Sequence, residues 1–169
     1  MAKKWGKFPH AEKAYAYDAA GLKKHWPRLH KGDCEPFPKD AAVQEAWRHY
    51  HAGEFAQAVD AGTAAGGAGH NVAIKAQVVY ATYLEKSDKA KLALLEEAMG
   101  WAEDRRAEAP KDANAHYFFA FAAGRYGQGI SVGKARIADA EKLYKEAAAC
   151  KPADAMERLD VELARSELD

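Results

Sequence analysis

Four side chains that could bind a metal ion lie near one another in the N-terminal part of the sequence, namely His25, His30, Cys34 and Glu35. A zinc site usually needs four ligands in a tetrahedral arrangement, commonly supplied as closely spaced pairs. On a helix that turns about 100° per residue, His25 and His30 point to different sides unless Pro27 changes the path of the chain. We therefore expect no metal and no cofactor. A metal-binding or enzymatic role through this His/Cys cluster stays open as an alternative.

A glycine-rich run at residues 127–134 superficially resembles a nucleotide-binding loop. A Walker A motif has four residues between its outer glycines, and then Lys followed by Ser or Thr. Here the spacing from Gly127 to Gly133 is one residue too long, and Ala135 follows Lys134, so no hydroxyl is available for Mg²⁺. No Ser-His-Asp arrangement or pair of carboxylates stands out elsewhere. The sequence predicts an inter-helix loop at residues 124–133, and a protein that is not an enzyme.

The composition predicts one all-α domain. Of the 169 residues, 49% are hydrophobic, and the sequence is rich in residue types that lose little on entering a helix. The 25 basic residues balance the 25 acidic residues, so neither nucleic acid nor an anionic membrane is an expected partner. Two distant cysteines, Cys34 and Cys150, and a basic N-terminus with no apolar run behind it lead us to expect a cytoplasmic protein.

Apolar residues recur at helical spacing between three breaks rich in proline or glycine, at residues 31–38, 66–69 and 109–112. Side chains that can cap a helix predict where most of the helices begin, at Asp18, Asp40, Asn71, Asp88 and either Asp112 or Asn114. A return helix is expected over residues 54–65. Further helices are expected over residues 134–150 and from residue 154 onward.

The most informative pattern consists of Trp47, Tyr50, Gly53, Phe55 and Ala58. An aromatic pair on one helix, a glycine turn, and then an aromatic residue and an alanine on the next helix supply the packing of a helix hairpin. The pattern resembles the tetratricopeptide repeat (TPR) family. Residues 24–26, 32–36, 124–126 and 129–132 are also similar to segments of bacterial TPR-like proteins that have no assigned activity.

The resemblance implies an α/α helical-repeat array of antiparallel hairpins wound into a right-handed superhelix. Three irregular hairpins would span residues 40–65, 71–110 and 113–152. An N-terminal helical extension and linker, residues 1–38, would precede them, and a capping helix, residues 153–169, would follow.

The same register implies a concave groove lined by polar and aromatic side chains. TPR proteins that clamp a peptide carboxylate use Lys, Asn and Arg there, and such donors suit a carboxylate. Within the aromatic cluster at residues 117–121, Phe119 is expected to point inward and the others toward the groove. The groove candidates are Arg48, Asn71, Ile74, Lys75, Val78, Asn114, Tyr117, Phe118, Phe121 and Arg125.

These expectations favour a module that binds a peptide or an extended protein segment in its groove. Two explanations that involve no bound partner compete with that interpretation. The basic side chains can be a solvated face, and the terminal helix or the glycine-rich insertion can cover the aromatic cluster. A homo-oligomeric scaffold is the other function considered, with the apolar side of the last helix (Met156, Leu159 and Leu163) as the contact between copies.

Overall fold

Six α-helices account for most of residues 5–130, the part of the chain that the computed structural model describes. A short 3-10 helix, Lys13–Tyr15, precedes them. The α-helices are α1 (Ala19–Leu29), α2 (Ala41–His51), α3 (Phe55–Ala65), α4 (Gly69–Tyr83), α5 (Asp88–Glu108) and α6 (Ala113–Gly129). No β-strand occurs between residues 5 and 130, so the all-α class is confirmed there. The helices expected at residues 134–150 and 153–169 lie outside the described residues.

Short polar side chains start these helices largely as the sequence predicts. Asp18, Asp40 and Asp112 each accept a hydrogen bond from a backbone amide two or three positions later, at 2.7, 2.7 and 3.0 Å. α5 begins at Asp88 as expected, although the capping side chain is Ser87, which accepts a bond of 3.3 Å from a backbone amide. Each cap satisfies an amide that the helix itself leaves without a partner.

Two predicted boundaries are wrong. Asn71 does not cap a helix, because α4 already begins at Gly69 and Asn71 is its third residue. The loop expected at residues 124–133 does not begin at residue 124, because α6 continues through Gly127 to Gly129. A glycine costs a helix only about 1 kcal/mol, which tertiary packing readily offsets. Residues 131–133 lie outside the described range.

α4 is the centre of the helical packing. From α2 onward each helix packs against the next along the chain, and α4 additionally contacts α2 and α6. One side of α4 joins a core with α1, α2 and α3 through Val72, Ala76 and Tyr80. Its other side joins a second core with α5 and α6 through Ile74 and Val78. A helix that is apolar on both sides is expected at such a central position.

No described helix combines the length and the apolar character needed to cross a bilayer.

Candidate functional site

The break between α1 and α2 inserts two carboxylates among the helices. We call residues 30–38 the acidic segment. Its side chains Asp33 and Glu35 are each only 5% exposed, whereas Lys31, Gly32 and Pro36 are exposed on its outer side. Between the two acids, Cys34 has a φ of 48°, a left-handed conformation that is uncommon for residues other than glycine. The segment therefore lies at the surface and directs two acidic side chains inward.

Glu35 is held by two neutral amide groups. Asn71 Nδ2 lies 3.1 and 3.2 Å from the two carboxylate oxygens, and Asn114 Nδ2 donates a bond of 2.6 Å to Oε2. Burial strongly favours the neutral acid, and the two amide bonds offset this only in part. The nearby negative charge of Asp33 acts in the same direction as burial, and the pKa of Glu35 is raised to about 7. The Glu35 carboxyl thus changes charge near neutral pH.

Asp33 has the opposite electrostatic environment, because a cation faces it. His30 Nδ1 lies 2.9 Å from Asp33 Oδ1, and Lys75 Nζ pairs with Asp33 Oδ2. Burial opposes ionisation of Asp33, but the His30 hydrogen bond and the charge of Lys75 outweigh it. They hold the pKa of Asp33 well below its usual range. Asp33 is therefore an ionised carboxylate at any pH near neutrality.

A hydrogen-bond chain extends from Asp33 into α2. His30 Nε2 lies 3.1 Å from His51 Nε2, so one ring must donate to the other. Burial lowers the pKa of His51 to about 3, and it lowers the pKa of His30 in spite of the adjacent Asp33. Both rings are accordingly neutral, with His51 donating to His30 and His30 donating to Asp33.

Aromatic rings enclose this polar cluster. The His30 ring stacks on Trp26 with centroids 3.8 Å apart and meets the edge of Trp47 at 4.5 Å. Lys75 Nζ lies 5.5 Å from the centroid of the Trp47 ring and 5.4 Å from that of Tyr50, within cation–π range. Such surroundings exclude water and strengthen the electrostatic contacts inside them.

Three of the sequence-predicted groove residues meet at the acidic segment. We call Asn71, Lys75 and Asn114 the clamp, and the sides of α2, α4 and α6 that surround the acidic segment the clamp face. The clamp presents two amide donors and one ammonium group toward two carboxylates. Neutral amides and an ammonium group bind acidic groups and offer no nucleophile, so this arrangement suits recognition.

Comparison of the chain with protein-family models, with curated proteins and with solved structures returned no match. The chemistry of the site is therefore assigned from this chain's own residues.

Tyr117, Phe121 and Arg125 form a second feature of the clamp face, a row along one side of α6 that we call the α6 stripe. The rings of Tyr117 and Phe121 are parallel with centroids 6.1 Å apart, and the Arg125 guanidinium lies 5.7 Å from the Phe121 ring. All three side chains are half-buried. The stripe begins one helical turn after Asn114, so it continues from the clamp along the same side of α6.

Three other groove candidates face the core. Ile74, Val78 and Phe118 are each 0% exposed and belong to the core between α4, α5 and α6. The orientation expected for Phe118 is wrong, since both Phe118 and Phe119 are buried. α6 is packed on two sides, by α4 and by α5, so two successive positions of one helix can both be interior.

Arg48, the remaining candidate, lies away from the clamp. Its Nε donates a bond of 2.7 Å to the backbone oxygen of Tyr17, and its guanidinium also pairs with Glu45. Arg48 thus fastens the segment that precedes α1 onto α2.

The proposed metal ligands are partly separated. His25 contacts Tyr17, with ring centroids 5.4 Å apart, while His30 and Glu35 enter the cluster around the clamp. Among residues 5–130, no three His, Cys, Asp or Glu side chains are arranged to hold a metal ion. Sequence reasoning missed that Asp33 and Glu35 fill the predicted groove. The available signal was an acid pair two positions apart, in a chain whose predicted groove residues included Lys and Asn donors.

Proposed function

We propose that this chain is a TPR-like binding module, without enzymatic activity, that holds a non-helical acidic segment of a partner protein against its clamp face. One observation carries the proposal. The clamp already holds two carboxylates of a non-helical segment, which is the chain's own acidic segment. A surface that holds such a segment within one molecule has the chemistry to hold one between molecules.

The repeat architecture is part of the same proposal. α2 with α3 and α4 with α5 would be the first two hairpins of a right-handed array, and α6 would open a third that extends to residue 152. In support, α2, α4 and α6 contact one another in order, while α3 and α5 each pack between two of them. Alternate helices of a hairpin stack line one face, and the clamp and the α6 stripe lie on alternate helices.

The α6 stripe supplies the remaining features that a protein ligand needs. Tyr117 and Phe121 offer apolar surface that is only half-buried, and Arg125 offers a cation next to it. Tryptophan, tyrosine and arginine are enriched among the few residues that dominate binding energy in protein interfaces. A partner segment would place a carboxylate near Arg125 and apolar side chains on the two rings.

Capture of a partner from the native host's lysate, followed by mass spectrometry, tests this function. We expect a Phe121→Ala/Arg125→Ala variant to retain its helical circular dichroism and to capture at least about tenfold less partner than wild type. The matched control is Tyr83→Ala, because Tyr83 is 68% exposed and is the last residue of α4, about two helical turns beyond Lys75. Equal capture by wild type and the double variant would contradict the proposal.

A further inference from the structure

The clamp has an occupant within its own chain. Asn71 and Asn114 hold Glu35, and Lys75 pairs with Asp33, so the donors that would recognise an external carboxylate are engaged. The outer side of the same segment, at Lys31, Gly32 and Pro36, is exposed to solvent. The ends of the segment are fastened by the His30 ring, which stacks on Trp26 and lies 3.1 Å from His51 Nε2, and by Gln44 Nε2, which donates a bond of 2.8 Å to the Pro38 backbone oxygen. Between the ends, the two inward acids, a bond of 2.6 Å from Trp26 Nε1 to the Glu35 backbone oxygen, and Phe37 against Trp26 with ring centroids 5.2 Å apart hold the segment. Release of residues 31–36 toward solvent must therefore break the acid contacts and the Trp26 bond, while both ends of the segment stay attached.

Three features of the bound segment lower its stability in place. The buried Glu35 carboxyl faces neutral amides, while the nearby cation, Lys75, pairs with Asp33. Asn71 Oδ1 is buried and has no hydrogen-bond partner among the described residues. Cys34 adopts a backbone conformation that costs most residues on the order of 1 kcal/mol. A segment that served packing alone would do better with an uncharged side chain at position 35.

We propose that the acidic segment is an intramolecular ligand of the clamp, displaced by a partner segment that carries two carboxylates with the same Asp-x-Glu spacing. This inference rests on the proposed function and specifies its ligand. The spacing follows from the clamp itself. Lys75 lies one helical turn after Asn71 on α4, and Asn114 approaches from α6, so the three donors accept two acids that are two residues apart.

The free energy of displacement sets what an experiment should detect. When an internal ligand occupies a site, the apparent affinity for an external ligand is the intrinsic affinity multiplied by the fraction of molecules whose site is empty. Removing the two internal carboxylates should therefore raise the affinity of the clamp for an added acidic peptide. Breaking the clamp in the same background should abolish that gain.

The probe is a fluorescein-labelled synthetic peptide of residues 30–38 that carries Cys34→Ser, and binding is measured by fluorescence anisotropy. We expect the full chain with Asp33→Ala/Glu35→Ala to bind this peptide at least about tenfold more tightly than wild type does. Adding Asn114→Ala should abolish the binding. The same peptide with Asp33→Asn/Glu35→Gln serves as the uncharged control and should not bind.

Equal affinity of wild type and the double variant would overturn the inference, as would a folded double variant that shows no saturable binding. If the double variant does not fold, hydrogen–deuterium exchange of wild type answers the same question. Excess peptide should speed amide exchange at residues 31–35, and unchanged exchange would refute displacement. Partner capture that depends on Phe121 and Arg125 alongside a negative peptide result would leave the binding module standing and make the acidic segment a fixed part of the core.

Discussion

Asp33 and Glu35 are two residues apart and have opposite protonation behaviour. Asp33 faces the Lys75 ammonium group and stays ionised, whereas burial among neutral amides raises the pKa of Glu35 to about 7. Proximity to Asp33 adds to that increase, because a second negative charge nearby disfavours ionisation of Glu35. The pair therefore makes the stability of the clamp region depend on pH through Glu35.

Replacement of the Glu35 carboxyl by an amide should stabilise the protein increasingly as the pH rises. The folded pKa of Glu35 lies above its unfolded value, so its contribution to stability is present below about pH 4.5 and is lost as the pH rises through about 7. Glu35→Gln cannot ionise and lacks this loss. We expect the unfolding free energy of the variant minus that of wild type to grow by on the order of 2–3 kcal/mol between pH 5 and pH 8 in urea unfolding.

The matched control for that measurement is Glu96→Gln, because Glu96 is exposed on α5. The difference in unfolding free energy between Glu96→Gln and wild type should stay nearly constant over the same pH range. Other titrating groups, including His30 and His51, are present in every protein compared and cancel in the differences. If the difference in unfolding free energy between Glu35→Gln and wild type does not change with pH, the Glu35 carboxyl of the folded protein ionises well below pH 7.

Lys75 should depress the pKa values of the two neighbouring histidines. Its positive charge lowers the pKa of both His30 and His51, in addition to the effect of burial. Lys75→Met should therefore raise both values, and it should destabilise the fold by on the order of 3–5 kcal/mol, because Asp33 loses its cation. Two-dimensional NMR titration of the imidazole nitrogens measures the shifts. Lys24→Met, at an exposed position of α1, is the control. Unchanged histidine titration would place Lys75 away from the cluster.

At the scale of single residues, the predicted groove set contained the three clamp residues together with residues that belong to the core. The repeat register placed Asn71, Lys75 and Asn114 on one face, and they do meet. It also placed Ile74, Val78 and Phe118 there, and these are buried. Neighbouring helix positions differ by only about 100°, so the exposed arc depends on how many helices pack around each one. A local sequence pattern does not show how many neighbouring helices pack around a given helix.

Among the helices, α3 and α4 approach most closely where two glycines meet. A Cβ atom added at Gly62 would lie 2.6 Å from the backbone oxygen of Gly69, and one added at Gly69 would lie 2.4 Å from the backbone oxygen of Gly62. Real Cβ atoms do not occur at such distances from backbone, so both positions require glycine. This contact sets the position of α4, which carries Asn71 and Lys75.

Alanine substitutions at two helical glycines should therefore have opposite effects. Gly62→Ala should destabilise the protein by about 2 kcal/mol or more, because α3 and α4 must separate. Gly100→Ala should stabilise it by up to about 1 kcal/mol, since nothing lies within 4 Å of its added Cβ and alanine favours a helix. Thermal unfolding followed at 222 nm compares the two. A stable Gly62→Ala protein would contradict the close crossing of α3 and α4.

Helix starts were predictable where an aspartate cap reports them locally, as at Asp18, Asp40 and Asp112. The end of α6 was not. Gly124, Gly127 and Gly129 suggest a loop, but the helix includes all three, since its earlier turns are packed against α4 and α5. Packing contributes more to a helix than local preference does when the two conflict.

For the molecule as a whole, the residues before α2 cover the helices that follow. Trp5 stacks on Tyr80 with centroids 4.1 Å apart, and the backbone amide of Gly6 donates a bond of 2.9 Å to the Tyr80 hydroxyl. Phe8 packs against Phe55 next to Gly53, whose φ of 79° closes the turn between α2 and α3. A helical extension and linker was expected at residues 1–38 without these contacts, because contacts that span so much sequence leave no local periodicity. The same limitation hid Asp33 and Glu35 as occupants of the clamp.

Site-specific photo-crosslinking tests the central claim, that the clamp face binds a partner's acidic segment, most directly. A benzoylphenylalanine group placed at Phe121 on the α6 stripe is compared with one placed at Tyr83, which is 68% exposed at the end of α4. Irradiation in the native host's lysate should join a partner to position 121 only, and peptide mapping should find the joined residue within a few positions of two carboxylates. Crosslinking of the same partner at both positions, or at position 83 alone, would contradict the claim.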